Sequence, residues 1–446
     1  MMEWYYALAF LLGMVLAFMF AGLPVAIAFL AANMIGASYF MGGSGDIFRQ
    51  MERGIGMLLN NALPSVTTFN LMPVPMFLLM GEIFFHTGLA NRMFTAVEKL
   101  MGRIPGRLSF VTVAGGTAFA TLSGSSMGST ALLGSLMVPE MQRRGYKKYM
   151  AIGPILGTGG LAMLIPPSAL AVLLATLADL DVGALLVAGV VPGFVLAGMY
   201  AVMILGMCLI DPAAAPNYEV ERVTWPTRLR LLLFDILPMM SVVVAVIVLI
   251  LRGWATPSES AAFGCLGVLL LGLAYRRLTW RSLVLSVTGA LRVTTMALLI
   301  IFGSATFSAL LAFSGASSGL IRWATGFALD PVPMLLIMFA ILLVLGMFMD
   351  QLSMMLLTVP IFFPLAQSLG FDLIWFGVIV LLALEISFTT PPFGLLLFVM
   401  KGVAPPGTTM REIYLAAMPY MGCAMLMVGL LIIWPDLALW LPSLGR

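Results

Sequence analysis

The sequence predicts an all-α polytopic membrane protein built from two related halves, on three observations. Of 446 residues, 62% are hydrophobic and 9% charged, with a mean hydropathy of +1.10. A soluble chain of this length carries about a quarter charged residues. Apolar runs of about twenty residues, each long enough to cross a bilayer, recur along nearly the whole length. Sequence landmarks also repeat at a fixed offset of 225 residues, about half the chain.

In chain order, the opening segment MMEWYYALAFLLGMVLAFMF lacks the basic n-region and small-residue cleavage site of a signal peptide and reads as a retained first span. Spans are expected near 5–22, 24–42, 66–88, 150–180, 183–209, 231–251, 257–274 and 286–314, then near 373–400 and 411–434. Two regions break the pattern. Residues 108–142 are apolar but too few for two crossings of ~20 residues and a turn, and 331–369 raise the same difficulty. Arg92, Lys99, Arg103 and Arg107 precede the first region, and Arg143, Arg144, Lys147 and Lys148 follow it. Positive charge marks cytoplasmic loops, so both ends face the cytoplasm and the segment is a re-entrant hairpin. Such a hairpin is tolerated only where its tip is buried in protein or lines a wet cavity.

The same rule places the loop near Asp179 and Asp181 outside and the loop with Arg222, Arg228 and Arg230 inside. Arg252 falls outside, and Arg276, Arg277 and Arg281 inside. The second odd region is then entered from outside. It ends at SLGFDL, again without Lys or Arg, before Lys401 and Arg411 return inside. The second hairpin therefore points the opposite way from the first.

The two regions also match in sequence. Pro139 precedes Gly145 by six in VPEMQRRGY, as Pro364 precedes Gly370 in FPLAQSLGF, and an aromatic follows each glycine (Tyr146, Phe371). Twenty-one residues after each glycine stands a double proline, Pro166–Pro167 and Pro391–Pro392. Proline removes a backbone donor and clashes with the preceding turn, so each pair breaks a span. Residues 1–225 form the first repeat, with hairpin 108–142 and broken helix 150–180. Residues 226–446 form the second, with hairpin 331–369 and broken helix 373–400. Opposed repeats with discontinuous helices near the midplane are the mark of a secondary transporter, and the breaks carry its solute and ion sites.

The first hairpin centres on TLSGSSMGSTALLG, where Ser123, Gly124, Ser125, Ser126, Gly128, Ser129 and Thr130 crowd eight positions. Hydroxyls and freed carbonyls are hard oxygen donors suited to Na⁺. On composition alone the same residues also suit close helix packing. In the second hairpin, MFMDQLSM aligns Asp350 with Ser125. An acid at this depth is a functional hypothesis by default: it can ligate a cation, take a proton or cap a helix. Glu385, with Ser387, Thr389 and Thr390, lies in the paired broken helix EISFTTPPFG, either as a buried hydrogen-bonded acid or in coupling. Ser168 and Gly394, beside the two double prolines, join Gly124, Ser129 and Glu385 as candidates to line the solute.

Other chemistry finds no support. Cys208, Cys265 and Cys423 lie in apolar runs without metal-ligand spacing, and His86 follows Glu82 by four, a helix-face pair. The net charge of +3 is distributed as for topology and not for nucleic-acid binding. No P-loop, paired catalytic carboxylates or nucleophile–histidine set can be built, so the chain is not expected to be an enzyme.

Taken together, SGSSMGSTALLGSLMVPEMQRRGY, LIPPSAL, LGMFMDQLSMMLLTVPIFFPLAQSLGFD, FGVIV and TTPPFGLLLFV resemble the large membrane subunit of tripartite ATP-independent periplasmic (TRAP) transporters. The likeness covers essentially the whole chain, including GLPVAIAFL and TPSESAAFG near the start of each half. It implies an elevator-type fold in the bacterial inner membrane and Na⁺-coupled import of a carboxylate-bearing solute. It also implies a small TRAP membrane subunit and a periplasmic substrate-binding protein as partners, with membrane lipid around the helices. By position it implies Na⁺ ligation at Ser123, Ser125, Ser126 and the Ile165–Pro166 break, and around Asp350 and Thr389–Thr390. GGLAMLIPP departs from the more polar run usual before the first double proline. A self-sufficient symporter or antiporter of the same superfamily is the alternative.

Overall fold

The computed structural model describes residues 3–444 except 41–46, 68–70, 103, 124–125, 217–222, 327–329, 348 and 393. Among these residues every regular element is helical. The apolar helices α1 (Trp4–Phe20) and α2 (Val25–Phe40) precede α3 (Ile47–Val66), which carries Arg49, Glu52 and Arg53. Helix α4 (Pro73–His86) bends by 67° into α5 (Leu89–Leu100). The bend falls at Gly88, whose φ of +71° is open to glycine and strained for other residues. The stretch expected to span 66–88 is thus a 14-residue helix running into an angled one.

Next come α6 (Arg107–Ser123), α7 (Ser126–Arg143), α8 (Lys148–Leu164) and α9 (Ala169–Leu177). Two short-linked helices, α10 (Val182–Ala188) and α11 (Val190–Ile210), close the first half. In the second half, α12 (Trp225–Leu231) passes through a π-helical turn, Leu232–Ile236, into α13 (Leu237–Leu251). Helices α14 (Pro257–Ala274), α15 (Trp280–Phe313) and α16 (Ala316–Gly326) follow. Then come α17 (Pro331–Gly346), α18 (Gln351–Ser368), α19 (Leu373–Phe388), α20 (Leu395–Val403), α21 (Met410–Ile433) and α22 (Asp436–Ser443).

Local chemistry sets several starts. Thr256, Thr279 and Thr409 each accept the N–H three residues on and donate their own backbone N–H to that residue's side chain, closing capping boxes on α14, α15 and α21. The box at Thr279 starts α15 at Trp280, six residues before the span expected from 286.

Among the described residues six helical stretches are long and apolar enough to cross a bilayer, or eight spans if the bent pairs α4–α5 and α8–α9 each count as one. Exposed tryptophans stand at helix ends, with Trp225 opening α12, Trp280 opening α15 and Trp434 following α21, where an amphipathic ring suits the membrane–water interface.

Two bodies of packing emerge. In one, α4 lies against α14 and α15, and α2 against α3 and α15. Buried Asn33 of α2 ties this group by donating to Gly303 O and Thr306 Oγ1 of α15, both at 2.6 Å. In the other, α6 and α7 form a helical pair against α8, while α17 and α18 pack on α19. The start of α6 meets the end of α7, where the Leu108 N–H donates to Tyr146 Oη at 3.4 Å. Helices α7 and α18 begin at 126 and 351, α8 and α19 at 148 and 373, each pair 225 apart. The packing is crossed: α7 touches α20 of the opposite half, and α18 touches α9.

Candidate functional site

Helix α8 stops at Leu164 and α9 restarts at Ala169 after a bend of 47°. Helix α19 stops at Phe388 and α20 restarts at Leu395. The Pro166–Pro167 and Pro391–Pro392 bonds that fill the breaks are both cis. Each break leaves polar groups at a helix end to be satisfied from elsewhere; the first is buried, and at the second the Pro392 carbonyl accepts from Tyr414 Oη at 2.8 Å. At the first, Ser168 caps α9 and its Oγ accepts the Ala171 N–H at 3.2 Å. Pro166 and Ser168 are buried, and the Ile165 N–H donates to Leu161 O at 3.0 Å.

Glycines in α8 let the other elements meet there. A Cβ on Gly159 would stand 2.7 Å from Thr130 Oγ1 of α7 and 3.1 Å from Leu396 at the start of α20. One residue on, a Cβ on Gly160 would lie 1.3 Å from Glu385 Oε1, so the carboxyl group of α19 occupies the space that glycine leaves open. At Met163 the start of α18 arrives, with Gln351 Nε2 donating to Met163 Sδ at 3.6 Å. In α19, Ser387 lies where a side chain on Gly346 of α17 would stand. Both broken helices and the starts of α7, α18 and α20 therefore converge along residues 159–163.

Several polar atoms in this region lack a hydrogen-bond partner among the described residues: Ser126 Oγ, Thr130 Oγ1, Glu385 Oε2 and Tyr420 Oη. Buried polar groups are rarely left this way. Glu385 and Tyr420 face a cavity of about 10 Å³, room for about one water, walled also by Leu156, Gly157, Tyr200 and Thr389. The Tyr200 and Tyr420 rings pack at 5.2 Å.

Asp350 caps α18, accepting from Leu352 N at 3.1 Å and Ser353 N at 3.4 Å, while the Ser353 hydroxyl also donates to it. Its charge is thus shared with the start of a helix. The hydroxyls of Thr389 and Thr390 donate to Ile386 O at 3.0 and 2.7 Å, which leaves their oxygen lone pairs free to accept or ligate. Ser129 is buried on α7, and the Gly394 N–H donates to Thr390 O at 3.0 Å. Ser123 ends α6, and Gly124 and Ser125 lie outside the described residues. Gly160 and Tyr420 were missed in the sequence reading, which held Thr130 only as a member of the hydroxyl cluster. A signal for them existed in the small-residue spacing of GTGG, which admits neighbours on both sides of α8.

Several other ionisable groups pair near helix ends. Lys148 of α8 pairs with Glu412 of α21 at 2.8 Å, joining the two halves. Lys147 donates to Asp211, which holds that exposed carboxyl below the usual carboxylate range, with Tyr149 adding a further hydrogen bond. Arg92 pairs with Asp235 and lies over the Tyr275 ring at 4.2 Å. His86 and Glu82 pair at 3.1 Å, and the three cysteines are buried and unpaired.

Two broken helices crossing at the heart of a polytopic helical body, with helix starts and unpartnered oxygens gathered at the crossing, define a membrane transporter. Residues 12–437 match the family described as the tripartite ATP-independent periplasmic transporter, DctM component, and the chain belongs to it. It is accordingly a multi-pass protein of the bacterial inner membrane and one component of a tripartite system. The large permease protein DctM of the C4-dicarboxylate TRAP transporter of Pseudomonas aeruginosa is 33% identical over 381 residues, covering 84% of this chain and 86% of its own. The protein of the same description from Rhodobacter capsulatus is 29% identical over 449 residues, covering 97% of this chain and 98% of its own. Among solved structures, the Neisseria gonorrhoeae efflux pump MtrF superposes with a TM-score of 0.61 at 15% identity, over 92% of this chain and 95% of its own, a likeness of fold alone.

Proposed function

We propose that the chain is the large membrane subunit of an importer that takes a carboxylate-bearing solute from a periplasmic binding protein and couples its entry to Na⁺. The observation that carries this reading is the crossing at residues 159–163, where two opposed broken helices bring helix starts and buried oxygens together. The starts of α7 and α20 offer backbone N–H groups and a positive dipole end to an anion, while Ser168 and Asp350 already cap α9 and α18. The donor set fits Na⁺ as well: Ser126 and Thr130 hold unpartnered oxygens, and Thr389 and Thr390 keep free lone pairs beside the freed carbonyls of the breaks. Ser123, Ser125, Ile165, Pro166 and Asp350 complete the Na⁺ set by position. Gly124, Ser129, Ser168, Glu385 and Gly394 are assigned to line the solute.

The halves 1–225 and 226–446 are opposed repeats in this reading. Their hairpins and broken helices move together across the membrane as an elevator against the group built on α2, α4, α14 and α15. A small membrane subunit packs on that group. The C4-dicarboxylate specificity named for two relatives makes a short dicarboxylate the first solute to test.

The test reconstitutes the chain with its small subunit and binding protein in vesicles and measures labelled dicarboxylate uptake under an inward Na⁺ gradient. Uptake is expected to need all three proteins and Na⁺, and Asp350→Ala is expected to weaken the Na⁺ dependence. Undiminished uptake without Na⁺ removes the coupling, and uptake by the chain alone favours a self-sufficient symporter.

A further inference from the structure

We propose that an apolar cavity between α6, α11 and α13 is a binding site for one lipid acyl chain. The cavity encloses about 400 Å³. Its walls are Phe110, Val113, Ala114, Thr117, Ala118 and Thr121 of α6, small and apolar side chains of α11 and α13, and Ile165 from the first helix break. The two hydroxyls in the wall spend their donors on their own helix, Thr117 Oγ1 to Val113 O at 2.6 Å and Thr121 Oγ1 to Ala118 O at 2.8 Å. Among the described residues the lining holds no charged side chain.

Size and place identify the occupant. An apolar cavity of about 150 Å³ in a soluble protein stays dry and binds benzene, and this one is more than twice that volume. A void of such size forfeits dispersion contacts along its whole lining unless something apolar enters. Its α6 wall runs from Phe110 to Thr121, eleven steps or about 16 Å at 1.5 Å per residue. That is about half of the ~30 Å hydrocarbon core, the length of one leaflet's tails. Phe194 of α11 lines the cavity and is 58% exposed, and Val244 of α13, beside the lining residue Val243, is 55% exposed, so the opening faces the surface that lipid covers. The medium at that opening is hydrocarbon, and a tail can slide in without desolvating any polar group.

The position gives the site a consequence. Ile165 belongs to the break between α8 and α9 and packs over Gly193 of α11, where a Cβ on the glycine would stand 2.4 Å from it. A chain in the cavity therefore bears on the broken helix and separates α6 from α13. Tail length and unsaturation in the surrounding membrane become inputs to the break.

The test uses the full chain in vesicles of phosphatidylethanolamine and phosphatidylglycerol, with a fraction of the phosphatidylethanolamine carrying a diazirine midway along one acyl chain. After illumination, adducts are mapped by peptide mass spectrometry. Adducts are expected on the buried residues Val113, Thr117 and Ile165 as well as on outward Val244. Ala118→Phe and Ala197→Phe, which fill the cavity from opposite walls, are each expected to lose the buried adducts and keep that on Val244. Adducts confined to Val244 in the unaltered chain overturn the proposal, whatever the variants do. So does labelling of the buried residues by a small soluble diazirine but not by the lipid-borne one, which would mark a small-molecule pocket closed to tails. Neither readout depends on solute uptake or Na⁺.

Discussion

At residue scale the tightest constraint is the meeting of Gly160 with Glu385. A buried acid without a charged partner is costly, and Oε2 of this one lacks a hydrogen-bond partner among the described residues, beside a one-water cavity shared with Tyr420. Even one methyl group at residue 160 falls within bonding distance of the carboxyl oxygen. Overpacking of a core costs about 1–3 kcal/mol and sometimes more, and a helix backbone packed as closely as α8 has little room to yield. Gly160→Ala is expected to lower the thermal stability of the detergent-purified chain sharply, as followed by size-exclusion chromatography after heating. Gly160→Ala with Glu385→Ala is expected to recover most of it. If the single variant is as stable as the unaltered chain, the contact is not close. Little of this was legible in advance. Glu385 stood out as an acid in an apolar run, but its neighbour is a glycine, and glycine in a membrane segment reads as generic packing. The capping role of Asp350 was among the alternatives open from sequence, and only coordinates show which amides it accepts.

At the scale of elements, the two double prolines act through the backbone. Proline at 166 withholds an N–H and crowds the preceding turn, and helix α8 ends at Leu164. Pro166→Ala restores a donor and removes the clash, so the segment gains a helical alternative in which the freed groups pair with each other. The variant is expected to insert and express normally yet to import solute poorly in the three-protein vesicle assay. Full uptake by a well-expressed variant would show that the break needs only Pro167. Helix breaks of this kind are readable because proline's effect is local. Two helices that escaped the sequence reading carry charge: α3 opens with Arg49, Glu52 and Arg53, and α5 carries Arg92, Glu98 and Lys99 while burying Leu89, Ala90, Met93, Phe94 and Ala96. The early start of α15 was also missed, because its signal is a hydrogen-bonded Thr279–Ser282 pair and not an apolar run.

For the whole molecule, charge and contact agree on which ends belong together. Lys147 with Asp211, Lys148 with Glu412 and Arg92 with Asp235 join segments that the distribution of basic residues assigns to the cytoplasm. At the other end, Asp181, Ala255 and Leu441 border a common cavity, and their loops carry little positive charge. Single cysteines at 105 and 145, flanking α6 and α7, are therefore expected to react with an impermeant maleimide only from the cytoplasmic side. Reaction of the two from opposite sides would make α6–α7 an ordinary crossing. The fold class was legible because a bilayer permits few solutions, whereas the close fits inside it depend on partners far away in sequence. One such fit bears on history. Gly160 and Glu385 touch, and on the proposed reading of the halves as repeats, offset by 225 residues, each is the other's counterpart. In a chain made by doubling a gene, a residue that meets its own counterpart begins by meeting a copy of itself. Two glycines there would leave a hole, and two glutamates would force like charges into one space. Only an unlike pair fills the place, so under that reading divergence of the copies is a condition of close packing and not its later ornament.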